Sequence, residues 1–165
     1  MITMGKILNS SEAKKIALDI FAKADIADRG EFLSVHSEKV GQVAKMIAQK
    51  LGINTDIFEI AGWVHDIGYA KNFENHADFA IPILKELDYG VNDVLEDCIL
   101  NHGNGKSPKT TEGKIFQVAD KLSIFDAEII QIMLKNGSFP LKNNDIDFLK
   151  MMSSKAFELL EDFPR

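Results

Sequence analysis

The chain has 165 residues, 45% hydrophobic and 27% charged, with a formal net charge of −6. That length suits one domain around one core, and the negative balance argues against a broad nucleic-acid-binding surface, which is built mainly from Lys and Arg. A single cysteine, Cys98, excludes an intrachain disulfide, no apolar run approaches the roughly 20 residues of a membrane span, and the N-terminus lacks the apolar stretch of a signal peptide, so the expected location is cytoplasmic.

Helical periodicity dominates and strand alternation is nearly absent. The first helix is expected from Ser10 or Ser11, good N-cap residues, to about Ala27, with Ile16, Ile20 and Phe21 inward. A second runs from about Glu31 to Leu51 on a stripe of Leu33, His36, Val40, Val43, Ile47 and Leu51, with Gly52 as its stop. A third starts near Thr55 and ends around Gly68, so that His65 and Asp66 occupy its last turn. After a loop from Tyr69 to Glu74, a fourth helix spans about Asn75 to Asp88, with His76, Ala80, Ile83 and Leu87 on one face. Pro82 lies inside it and predicts a kink or a restart. A fifth covers about Val91 to His102, with Leu95, Ile99 and His102 aligned. A sixth runs from about Glu112 to Lys135, with Asp120 between Phe116 and Ile124, and stops at Gly137. A last helix covers about Asp145 to Glu161, and the Met151–Met152 pair with Phe148, Phe157 and Phe163 reads as its packing face. The fold class is all-α: a single compact bundle of six or seven helices.

The four histidines, His36, His65, His76 and His102, are the whole histidine inventory. Each lies in line with apolar residues, and Asp66 and Asp120 join them. A lone histidine on such a stripe is ordinarily a satisfied core residue, and His65 at a helix end could be a simple cap. Asp120 is harder to explain that way, because a buried carboxylate is costly unless paired, hydrogen-bonded or metal-bound. Imidazole and carboxylate projecting inward from facing helices are how bundles build metal sites. The segment Gly103-Asn104-Gly105-Lys106-Ser107 imitates the end of a P-loop, but Leu100 stands where the first glycine is needed and no strand is expected before it.

His36-Ser-Glu-Lys-Val40, His65-Asp-Ile-Gly68 and Ala119-Asp-Lys-Leu-Ser123, in this order and spacing, resemble the HD-domain superfamily of the HDIG type. The resemblance covers about residues 31–126, with a helical C-terminal extension over about 144–163, and takes 1–165 as one HD-type domain. It implies that His36, His65, Asp66 and Asp120 bind a first divalent metal ion and that His76 and His102 complete a second site, with Asp66 bridging. Iron or manganese is expected ahead of zinc, nickel, cobalt or magnesium. The implied activity is a metal-dependent phosphohydrolase in which metal-activated hydroxide attacks a small phosphate ester or nucleotide. Asp66 is expected to be catalytic with Lys121, which stabilises charge or orients Asp120, or is simply exposed. Lys71, Lys106, Lys109 and Asn101 are candidates for substrate contact, and Asn104 for orienting substrate or shaping a turn.

Two departures qualify the likeness. Tyr69 stands where many members carry lysine after HDIG, and the GYP motif of the cyclic-dinucleotide phosphodiesterases is absent. Pro82, soon after His76, leaves open whether His76 turns inward, and with it whether one ion binds or two. Two alternatives remain: a di-iron oxygenase cleaving a C–C or C–P bond, and a non-enzymatic metal-stabilised module. The expected partner is a small phosphorylated molecule, with no long nucleic acid, no membrane and the possibility of a homodimer.

Overall fold

The structure is a computed structural model and describes residues 5–23, 27–135 and 143–161. Among them are eight α-helices and one 3-10 turn, and the only strand-like pairing is an isolated bridge between Lys6 and Tyr89. The helices are α1 (Ser10–Lys23), α2 (Ala27–Leu51), α3 (Asp56–Val64), α4 (His76–Glu86), α5 (Asp93–Asn101), α6 (Thr111–Ser123), α7 (Ala127–Lys135) and α8 (Asn143–Glu161). The 3-10 turn, Ile67–Ala70, occupies ground expected to be helix end and loop. No described helix is long and apolar enough to cross a membrane.

Side-chain caps fix several of the helix starts. Asn9, not Ser10 or Ser11, caps α1: its Oδ1 accepts from the Glu12 amide at 2.9 Å, and Glu12 Oε2 accepts in return from the Asn9 amide at 3.3 Å. This reciprocal pair satisfies two amides that the first turn leaves without partners. Asn92 caps α5 through the Leu95 amide, and Thr110 caps α6 through the Gly113 amide. Gly52, with φ of +69°, closes α2 as expected.

The single helix expected from Glu112 to Lys135 is two. Phe125 and Asp126 close on Leu122 and Ser123 by i to i−3 bonds, and Ser123 Oγ donates back to the Asp120 carbonyl. Asp126 then accepts from the Glu128 amide and starts α7. A side chain that can cap or back-bond competes with helix continuation, and periodicity does not register it. Conversely, Pro82 does not restart α4. The carbonyl it leaves without a donor belongs to exposed Asp78 on the solvent side, where water can serve it. The stop at Gly137 and Phe163 lie outside the described residues, as does the side chain of Phe148. On α8, Met152 is buried, whereas Met151 and Phe157 are exposed, so the helix seats one narrow stripe rather than the whole apolar series.

The core lies where α1, α2, α3, α5 and α6 meet, filled by Phe21, Phe58, Ile99, Ile115 and Phe116. Two glycines set how closely backbones approach at the heart of the bundle. A Cβ at Gly62 on α3 would stand 2.7 Å from the Ser37 carbonyl and 2.8 Å from Gly41 Cα, both on α2. A Cβ at Gly68 would fall 1.8 Å from the His76 carbonyl oxygen on α4. The first contact draws α3 against α2, and so His65 against His36. The second seats the start of α4 on the turn that follows Asp66.

Candidate metal centre

The four histidines and two aspartates converge from five helices and the 3-10 turn. His36 comes from the middle of α2, His65 caps the C-terminus of α3, Asp66 precedes the 3-10 turn, His76 opens α4, His102 caps the C-terminus of α5, and Asp120 lies in α6. All but His76 are buried, and the His76 side chain is 18% exposed. The C-terminal ends of α3 and α5 direct the negative ends of their helix dipoles at this point, which suits a cation.

Asp66 divides the cluster into two halves. Its Oδ2 lies 3.2 Å from His65 Nε2 and 3.6 Å from His36 Nε2; its Oδ1 lies 3.2 Å from His76 Nε2 and 3.6 Å from His102 Nε2. Asp120 Oδ1 joins the first half, 3.1 Å from His36 Nε2 and 3.7 Å from His65 Nε2. In the second half the Nε2 atoms of His76 and His102 are 3.2 Å apart. His76 therefore turns inward despite Pro82.

The other ring nitrogens fix the tautomers. His65 Nδ1 donates to the Gly62 carbonyl at 2.9 Å, His102 Nδ1 to the Ile99 carbonyl at 2.7 Å, and His76 Nδ1 to the Phe73 carbonyl at 3.3 Å. Each uses a carbonyl three residues back, so Nε2 faces the centre in all three. Such outer bonds orient metal-ligating imidazoles. Ser123 Oγ stands 3.3 Å from His36 Nδ1 in the same role.

Lys121 is buried, not a solvated lysine. Its Nζ donates to Asp120 Oδ2 at 2.5 Å and to the His102 carbonyl at 2.9 Å. It neutralises the carboxylate oxygen that faces away from the histidines and ties the two halves together.

The electrostatics are those of a site short of positive charge. Burial would raise the Asp66 carboxyl, but the His65 charge and hydrogen bonds from His65 and His76 hold it well below the usual range. Burial would likewise raise Asp120, and the Lys121 ammonium with His36 and His65 keeps it ionised. His65 loses basicity to burial and regains more from Asp66 and Asp120, ending at about 10. Burial and the His65 charge depress His102 to about 4.

The donor set fits a divalent ion. Six residues supply nitrogen and oxygen donors, and His65 Nε2 is a fully buried polar atom aimed into the cluster that makes no well-aligned hydrogen bond although carboxylate oxygens lie 3.2 and 3.7 Å away. Ligand atoms of His36, His65 and Asp120 lie within 4.8 Å of one another, as do those of His65, Asp66 and His102.

A cavity of about 320 Å³ opens over the cluster, bordered by Arg29, Tyr69, Asn104 and Lys121 on its polar side and by Phe32 and Met152 among its apolar residues. Tyr69 stacks on His76 with ring centroids 4.0 Å apart. Burial, then the charges of Asp66 and Asp120, push its phenol above the ordinary value, so it stays protonated. Of the expected substrate contacts, Lys71, Lys106 and Lys109 are exposed and do not border the cavity. Asn101 and Lys109 border a separate depression around Asp97, whose carboxylate accepts from Asn101 Nδ2, the amides of Lys109 and Thr110, and Thr110 Oγ1. These residues latch the α5–α6 loop. Arg29 and Tyr69 were legible only by position: Tyr69 directly follows Gly68, and Arg29 stands seven residues, two helical turns, before His36.

Residues 33–124 match the HD domain family. A Ribonuclease Y of Fervidobacterium nodosum is 34% identical over 97 residues, which is 57% of this chain and 18% of that protein. A deoxyguanosinetriphosphate triphosphohydrolase-like protein of Caldanaerobacter subterraneus subsp. tengcongensis is 30% identical over 113 residues, again 57% of this chain and 33% of that protein. The chain thus spans a third or less of these relatives' length. A crystal structure described as a predicted HD superfamily hydrolase, from an uncultured Thermotogales bacterium, shares the fold with a TM-score of 0.59 over 92% of this chain and 88% of its own, at 20% identity. With its His-Asp pair at the junction of both halves of the cluster, the chain belongs to the HD domain family.

Proposed function

We propose that the chain is a metal-dependent phosphohydrolase acting on a small phosphate ester or nucleotide, with one or two divalent ions, iron or manganese before other metals. One observation carries this reading: the two oxygens of Asp66 face two separate sets of histidines beneath an open cavity. A divalent ion bound there supplies Lewis acidity and lowers the pKa of a coordinated water toward about 7.

The chain's own residues do the rest. His36, His65 and Asp120 hold one half and His76 and His102 the other, with Asp66 shared between them. Lys121 removes the negative charge of the outer Asp120 oxygen and braces the His102 carbonyl. The cavity volume of about 320 Å³ suits a small ester rather than a long strand. The names of the relatives, a ribonuclease and a triphosphohydrolase-like protein, support chemistry at phosphorus.

Metal counted per chain, together with phosphate release across a panel of esters, tests the reading. Asp66→Ala is expected to lose both metal and turnover, and turnover retained in that variant overturns it. Oxygen uptake without phosphate release would point instead to the oxidative reaction.

A further inference from the structure

The wall of the cavity is graded along one helix. On α2, Arg29, Phe32 with Leu33, and His36 fall at spacings of three, four and seven, so they face the same side. His36 is at the metal-ligand end. Phe32 and Leu33 stand one turn back, and Arg29 two turns back, about 10 Å along the axis. The apolar part of the lining comes from three helices: Phe32 and Leu33 from α2, Ile124 from the end of α6 and Met152 from α8. Leu33, Ile124 and Met152 are buried. The Arg29 guanidinium lies over the Phe73 ring, 4.3 Å from its centroid, and no ion pair to it is found among the described residues. A guanidinium stacked on a ring keeps its edge free, and that edge matches a carboxylate or phosphate through two hydrogen bonds.

We infer that the preferred ligand is a phosphate ester with an apolar body and a second anionic group about 10 Å from the reacting phosphorus, read by Arg29 at the mouth and by Met152 at the waist. The inference rests on the phosphohydrolase reading for the identity of the reacting group. Arg29 and Met152 both lie outside residues 33–124, the part that matches the family. The family core thus provides the ligands of the ion, and this chain's own flanking elements select what is joined to the phosphoryl group. The distal anion is a carboxylate or a phosphate, both of which the fork accepts.

The test separates binding from turnover. Metal-loaded protein is titrated in a calorimeter with three matched aryl phosphonates, which cannot be hydrolysed: one with no distal group, one with a distal carboxylate and one with a distal phosphonate. The anionic pair is expected to bind about tenfold more tightly than the plain compound, the low end for a charge-assisted pair at a solvated mouth. Arg29→Gln is expected to erase that difference. Met152→Ala is expected to weaken all three while keeping their order. Whichever anion gains more names the source. Equal binding of the three by the unsubstituted protein overturns the inference, as does a preference that survives Arg29→Gln. The matching phosphate esters are then assayed. Turnover without discrimination removes the inference and leaves the phosphohydrolase reading, whereas discrimination without turnover of any ester does the reverse.

Discussion

Gly68→Ala is the substitution that most directly tests how the second half of the site is assembled. The added Cβ would stand 1.8 Å from the His76 carbonyl oxygen, 2.7 Å from the carbonyl carbon and 3.1 Å from the Ala80 amide nitrogen. All three are backbone atoms of α4, so no side chain can swing aside. The first turn of α4 must retreat by more than about 1 Å to restore ordinary van der Waals contact. His76 is the first residue of that helix, and metal–ligand distances hold to within about 0.2 Å. A retreat of this size takes His76 out of range while leaving His36, His65 and Asp120 in place. Metal content measured by mass spectrometry is expected to fall by about one ion per chain relative to the unsubstituted protein. Forcing a methyl group into a packed contact costs about 1–3 kcal/mol, which for a chain of this size lowers Tm by roughly 2–12 °C. Full metal loading with an unchanged Tm would refute the claim that this close approach places His76.

Three further outcomes are expected. Lys121→Met leaves Asp120 buried with an unpartnered oxygen; chemical denaturation of the metal-free protein should show a loss of about 3–5 kcal/mol, and metal affinity by competition with a chelator should drop about 10- to 100-fold. Because the metal-free His65 titrates near 10, an ion arriving at neutral pH displaces its proton; affinity should rise with pH up to about 10, and calorimetry in buffers of different ionisation enthalpy should register the released proton, whereas pH-independent binding would contradict it. At Asp97, burial would raise the carboxyl but the bonds from Thr110, Lys109 and Asn101 hold it below its ordinary value. Its contribution to stability is therefore complete above about pH 4 and is lost as pH falls through the lower folded value; Asp97→Asn should cost about 2 kcal/mol at neutral pH and flatten the acid limb of the stability profile.

The clustered residues were legible because histidine is scarce here and each copy sits in register with apolar residues. His36, His65, His102 and Asp120 could be placed on inward faces from periodicity alone. The second half was harder to read, since the effect of Pro82 depends on which side of α4 carries the orphaned carbonyl. That carbonyl belongs to Asp78, which is exposed to solvent. The break between α6 and α7 escaped periodicity because Ser123 and Asp126 act through single hydrogen bonds that leave the apolar pattern intact. Lys71, Lys106 and Lys109 were reasonable phosphate contacts by chain proximity, but a loop adjoining a ligand need not turn its side chains toward it. Nearness in sequence to His102 put Asn101 and Lys109 on the Asp97 latch instead. Gly62 and Gly68 carried no periodic signal at all; their role appears only when two backbones are set side by side.

The six candidate ligands span residues 36 to 120 and come from five helices and the 3-10 turn, none of which holds enough donors to bind an ion alone. An ion bound at all of them is therefore a cross-link between distant parts of the chain, and it exists only in the folded state. By mass action, free metal at a hundred times its dissociation constant adds about 2.7 kcal/mol to that state. The abundance of the protein would then follow metal supply through its rate of degradation, independently of any catalytic demand. A cell starved of the ion would lose the chain itself and not merely its activity.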